Sequence, residues 1–129
     1  AVPVKSITLD HLRTLYGVPH CMKIDIEGYE GRALNGAQEM LRDRHLNCII
    51  IELRGHSEKY GFSDQSIHRV LSEYGFCPFT YNPFSRQIDE LIIKADMIPS
   101  GDYIYLRDRD FASERVLSAS AFNVLGVSI

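Results

Sequence analysis

The stretch Met22-Lys23-Ile24-Asp25-Ile26-Glu27-Gly28-Tyr29-Glu30 decides how this chain is read. Apolar and charged residues alternate up to a glycine, and a helical pattern follows. Read as a strand, its period of two puts Met22, Ile24 and Ile26 on one face and Lys23, Asp25 and Glu27 on the other. Three charges on one side suit a solvent-facing edge strand. The surroundings point elsewhere, because helical patterns lie before and after it, and α-β-α-β order predicts a parallel sheet covered by helices on both faces. A charged face on a covered strand is costly unless it is paired or opens into a pocket. In open α/β sheets the pocket lies at the carboxyl ends of the strands. Asp25 and Glu27 sit at that end and are candidate site residues.

Working outward, Thr8 is an N-cap for a short helix in which Leu9, Leu12, Leu15 and Tyr16 recur at helical spacing, and Gly17 with Pro19 ends it. The central strand covers 21–27, and Gly28 makes a turn where the backbone bends sharply or admits a ligand closely. A helix over 29–44 carries Ala33, Leu34, Ala37, Met40 and Leu41 as an apolar stripe, with Glu30 suiting its dipole. Asn35-Gly36 is kept inside that helix, with Gly36 allowing close helix-strand packing. The unbroken run Cys48-Ile49-Ile50-Ile51-Glu52-Leu53 predicts a strand buried on both faces. Polar residues follow from Arg54 to Glu58 and form a candidate pocket wall. A helix capped by Ser63 carries Ile67, Val70, Leu71 and Tyr74 and ends at Gly75. A strand over 76–81 holds Pro78, which predicts a sheet edge or a bulge. After a turn at Asn82-Pro83-Phe84-Ser85 come a short extended piece at 90–94, a late strand over 102–108 and a helix from Asp110 to about position 121.

The 129 residues fit one domain with a real core. Net charge −3 and a pI near 5.9 give no basic footprint for nucleic acid. No apolar run approaches the ~18 residues of a membrane span, and the N-terminus lacks the regions of a signal peptide, so the chain reads as soluble and cytoplasmic. The cysteines, Cys21, Cys48 and Cys77, are far apart, odd in number and set in apolar surroundings. They read as buried thiols rather than a disulfide or zinc site.

The run Lys23-Ile24-Asp25-Ile26-Glu27-Gly28-Tyr29-Glu30, then Leu34-Asn35-Gly36-Ala37, then Ile49-Ile50-Ile51-Glu52 resembles the FkbM-type methyltransferases. Ile7-Thr8-Leu9-Asp10-His11-Leu12 is similar to the segment leading into this block, and Asn82-Pro83-Phe84-Ser85-Arg86 and the late strand ending in Asp108 look like its C-terminal half. The resemblance implies an α/β, Rossmann-like sheet, mostly parallel with an antiparallel late strand. It also implies S-adenosylmethionine as cofactor and methylation of hydroxyl oxygens on small molecules or sugars. The glycine-rich strand-to-helix turn that cradles the cofactor in that family has no counterpart: no G-x-G occurs in the sequence. The 129 residues are therefore expected to be a partial domain, the C-terminal half of such a sheet, inactive by itself.

On that reading Asp25, Glu27 and His56 are the candidate catalytic residues. Lys23, Asp25 and Gly28 border the cofactor. Two carboxylates at a strand end act as general base, or ligate a divalent cation that lowers the pKa of the acceptor hydroxyl. Glu52 on the next strand completes an oxygen set with Asp25 and Glu27 for Mg²⁺. Lys23 is expected to neutralise Asp25, two residues along on the same face. His56 follows a strand end, which marks it as a base. Tyr60, Tyr81 and Arg86 are weaker candidates for an acceptor site. A non-catalytic interaction module derived from a methyltransferase half is the alternative, and a metal-dependent hydrolase built on Asp25, Glu27 and Glu52 is a third reading.

If the Lys23–Glu27 strand pairs in the whole domain with a strand outside these residues, one of its sides is an open edge that invites another chain. The 129 residues alone are then expected to self-associate. Light scattering checks this, and a monodisperse monomer with an intact sheet contradicts it.

Overall fold

The computed structural model of the chain describes residues 2–94 and 98–128. Thr8 caps the first helix as its sequence predicts: its hydroxyl accepts from the His11 amide at 3.1 Å, α1 spans Leu9–Tyr16, and Gly17 ends it at φ 81°. β1 spans Cys21–Ile24 and stops before Asp25, because the chain turns away from the sheet over the next residues. Ile26 consequently leaves the core face predicted for it and is 42% exposed.

The helix expected over 29–44 is two helices. α2 spans Glu30–Asn35 and α3 spans Gln38–Arg42, with Gly36 as the C-cap of the first. What breaks it is α1. The Asp10 amide donates to the Gly36 carbonyl at 2.9 Å, and the Asp10 carboxylate accepts from the Glu39 and Met40 amides at 3.1 and 2.8 Å. A side chain from a distant helix thus caps α3, satisfying amides that a continuous helix would have bonded internally. Gly36 packs against Thr8 rather than against a strand: an added Cβ would come within 3.2 Å of the Thr8 Cβ.

β2 spans Cys48–Leu53, a 3₁₀ turn His56–Tyr60, and α4 Asp64–Glu73, capped by the Ser63 hydroxyl at 3.1 Å from the Ser66 amide. β3 is Cys77–Asn82, β4 Gln87–Glu90, β5 Gly101–Leu106 and α5 Arg109–Ser118; β6 (Asn123–Val124) and β7 (Val127–Ser128) make a small separate hairpin.

Among the described residues the main sheet has five strands in the order β1-β2-β5-β3-β4. Only β1 and β2 are parallel neighbours; β2-β5, β5-β3 and β3-β4 are antiparallel. The expected mostly parallel sheet is therefore mainly antiparallel. β1, β2 and β3, each reached through a helix, all point the same way, as the alternation requires. β5 then inserts between β2 and β3 and runs against both, while the tight turn after Asn82 forces β4 to run against β3. Pro78 lies on an interior strand, not at an edge. Its carbonyl accepts from the Leu91 amide, just past the β3-β4 pairing that starts at Phe79 and Glu90, so the donor it lacks falls beyond the end of that ladder. β1 is an edge strand.

Burial in β2 alternates instead of covering both faces. Ile49, Ile51 and Leu53 are buried and pack with Leu34, Leu41, Ile67 and Leu71 from the helices on one side, while Cys48, Ile50 and Glu52 are only half-buried. The half-buried face is covered by a single helix, α5, over a cavity of about 370 Å³.

Arg107, immediately after β5, ties the layers together. Its guanidinium donates to the carbonyls of Asp43 (2.6 Å), Leu46 (2.9 Å), Leu41 (2.5 Å) and Tyr74 (3.1 Å), and lies 4.2 Å over the Phe76 ring. Burial lowers its pKa, yet an arginine stays charged. Replacing it with Met removes all four of these donations, with only the Asp43 carbonyl keeping another among the described residues, from the Leu46 amide, and Arg107→Met is expected to lower stability by about 3 kcal/mol. Urea denaturation against wild type measures the loss.

Candidate functional site

The segments leaving β1 and β2 at their carboxyl ends pack against each other, and a buried carboxylate holds them. Glu30, in the first turn of α2, is 3% exposed. It accepts from the Ile26 amide at 3.1 Å and the Gly28 amide at 3.0 Å, and the Ser57 hydroxyl lies 2.7 Å away. Ser57 is equally buried and is also 2.9 Å from the Gly28 carbonyl. Burial opposes the charge on Glu30, but the donors from Gly28, Ser57 and Ile26 outweigh it and hold the pKa below the ordinary glutamate value.

This network forces an unusual backbone. Glu27 takes a left-handed conformation at φ 55° and Gly28 follows at φ 103°. A side chain at Gly28 would meet the His56 carbonyl oxygen at 2.5 Å, so only glycine lets the two loops touch. The close approach foreseen at Gly28 is thus made by the chain's own 3₁₀ turn. Gly31 has the same role one turn on, where a Cβ would lie 2.2 Å from the Phe62 ring. On the other side Asp64 accepts from the Gly55 amide at 2.8 Å, and its burial raises its pKa.

The result brings Glu27, Glu52 and His56 together, with one ligand or acceptor atom of each within 4.8 Å of the others. His56 Nδ1 is 3.4 Å from Glu27 Oε2, and both side chains are exposed, His56 at 50% and Glu27 at 79%. Glu52, more enclosed, accepts from Arg54 Nε at 2.5 Å, and Arg54 also reaches Asp102 at 3.6 Å. Asp25 is not in the cluster. Its carboxylate takes the Lys23 ammonium at 2.6 Å, the pairing expected from their spacing, and the bond and charge of Asp25 raise the Lys23 pKa. Of the carboxylates proposed as a metal set, Glu27 and Glu52 meet, and His56 stands where Asp25 was expected.

Of the secondary candidates, Tyr60 ends the 3₁₀ turn that begins at His56, while Tyr81 and Arg86 belong to the β3-β4 hairpin. Tyr60 packs on Tyr29 with ring centroids 4.2 Å apart and has Arg32 and Lys59 over its face. Tyr81 lines the cavity beneath α5. Arg86 donates to the carbonyls of Val116 and Ala119 and so closes the end of α5. Sequence reasoning missed Glu30 and Ser57 as the residues that place the site. The signal available was an acidic residue two positions after a glycine at a helix start, which also fits a simple dipole partner.

A family model for the methyltransferase FkbM domain matches residues 1–77, from the N-terminus through α4 to the start of β3. No curated protein and no solved structure matches the chain. Among the described residues no helix is long and apolar enough to cross a membrane.

The lowered pKa of Glu30 fixes how stability depends on pH. Its contribution is present in full above about pH 4.3, the ordinary glutamate value, and is lost as the pH falls through the lower folded-state pKa. Glu30→Gln is expected to cost about 2 kcal/mol at neutral pH and to flatten the acid limb of the stability profile. Urea melts from about pH 7 down to about pH 3 show both effects.

Proposed function

We propose that this chain, which belongs to the FkbM methyltransferase family, carries the acceptor side of an S-adenosylmethionine-dependent O-methyltransferase acting on a small-molecule or sugar hydroxyl. The observation that carries this reading is the Glu27–His56 contact at the carboxyl ends of the parallel strand pair, within the residues the family model covers.

The residues present do not fit the whole cofactor. No G-x-G occurs in the sequence, and the space over Gly28 is filled by the His56 carbonyl. The cradle for the adenosyl group is accordingly assigned to residues outside these 129, and the 129 alone are expected to be inactive. S-adenosylmethionine supplies an electrophilic methyl group when bound. This chain's own task is the proton. With Nδ1 turned toward Glu27, the Nε2 atom of His56 is left to accept the proton of an acceptor hydroxyl, and Glu27 orients the ring and balances the imidazolium that forms. The Lys23–Asp25 and Arg54–Glu52 pairs rim the same end of the sheet with donors and acceptors suited to a polyhydroxylated acceptor.

His56→Ala and Glu27→Gln, made in the complete polypeptide, are expected to lower kcat for methyl transfer by about 10²–10⁴ and by a smaller factor, respectively, with cofactor affinity unchanged. Asp25→Asn should act mainly on KM for the acceptor. Unchanged turnover in His56→Ala refutes the assignment. The Glu27–Glu52–His56 grouping also supports a second reading, a Mg²⁺ that polarises the hydroxyl. Loss of turnover on chelation, restored by Mg²⁺, would select it.

A further inference from the structure

The opposite end of the same two strands holds a second chemistry. Cys21 opens β1, Cys48 opens β2, and the parallel register sets them directly across from one another. Neighbouring strands lie about 4.8 Å apart, within the Cα separation of roughly 4.4–6.8 Å that a disulfide spans. Both side chains leave the sheet on the face beneath α5 and line the apolar cavity there, beside Ile50, Leu106 and Phe111. Cys21 is exposed and Cys48 half-buried, so neither is the sealed thiol that its apolar flanks predict. The facing Cys48 holds the Cys21 thiol down to about 7 against the effect of burial, while its own is pushed up by Cys21 and by burial. Cys77 is across β5 from Cys48, since both pair with Leu106. Two strand spacings, about 9.6 Å, put it out of bonding reach.

We propose that Cys21 and Cys48 form an oxidisable dithiol that a hydroperoxide converts into a disulfide joining β1 to β2. The Cys21 thiolate attacks the peroxide; an S–O bond forms, the O–O bond breaks, and the departing oxygen leaves as water or an alcohol. The Cys48 sulfur then attacks the Cys21 sulfenic acid, the S–S bond forms, and the hydroxyl leaves as water with the Cys48 proton. Two thiols lose two electrons and one peroxide gains them. β1 has only β2 as a sheet partner among the described residues, so the bond would staple the edge strand that carries Lys23 and runs directly into Asp25.

The test is non-reducing digestion and mass spectrometry of the native protein after treatment with a modest excess of hydrogen peroxide. The expected product is the Cys21 peptide joined to the Cys48 peptide with two hydrogens lost, reversed by dithiothreitol and formed equally in Cys77→Ser. In Cys48→Ser, Cys21 should instead accumulate as a sulfenic acid trapped by dimedone. A dominant bridge to Cys77, a dimer linked through Cys21, sulfinic acid at Cys21 with Cys48 still free, or two thiols left unreacted in wild type and Cys77→Ser would each overturn the proposal.

Discussion

The buried carboxylate of Glu30 is the constraint on which the arrangement at the carboxyl ends of β1 and β2 depends. A charge with 3% exposure is tolerated only if donors replace the water it has lost. The donors here are the Ile26 and Gly28 amides, and the Ser57 hydroxyl lies within bonding distance. Meeting them fixes the left-handed turn at Glu27 and Gly28, draws the 3₁₀ turn against that turn, and leaves Glu27 and His56 facing each other at the surface. The exposed pair has its geometry because the buried one has no alternative.

The sheet distributes chemistry along the parallel pair β1 and β2. β1 and β2 begin together at Cys21 and Cys48 and carry their acidic and basic residues at the other end. Insertion of β5 against β2 supplies Asp102 to the Arg54–Glu52 pair, and the residue that follows β5, Arg107, binds the carbonyls at the ends of α3 and α4 and the loop before β2. An antiparallel strand thus serves both ends. Its first residues complete the charged rim, and the residue just past its end holds the helical layer onto the sheet.

Features with a local cause were legible in the sequence. Thr8 and Ser63 cap helices because a hydroxyl three residues before an amide satisfies it with no help from elsewhere. Lys23 and Asp25 pair because they are two apart in sequence, close enough to meet although β1 ends between them. The turn at Asn82 closes through its own side chain, which accepts from Phe84 and Ser85. The acidic and histidine candidates at the strand ends were also visible as residue types in the right place, although which of them meet was not: His56 reaches Glu27, while Asp25 stays with Lys23.

The sequence by itself determined the main helices and strands, the N-caps Thr8 and Ser63, the shared direction of β1, β2 and β3, and the identity of the family, since each rests on spacing within a short window or on a contiguous motif. The tertiary structure alone decided the rest. Asp10 split one predicted helix in two by capping α3 from another helix, β5 turned a sheet expected to be parallel into a mainly antiparallel one, and register set Cys21 against Cys48. These outcomes depend on partners remote in sequence whose choice follows from satisfying buried polar groups and strand edges together, and no local pattern encodes that joint solution.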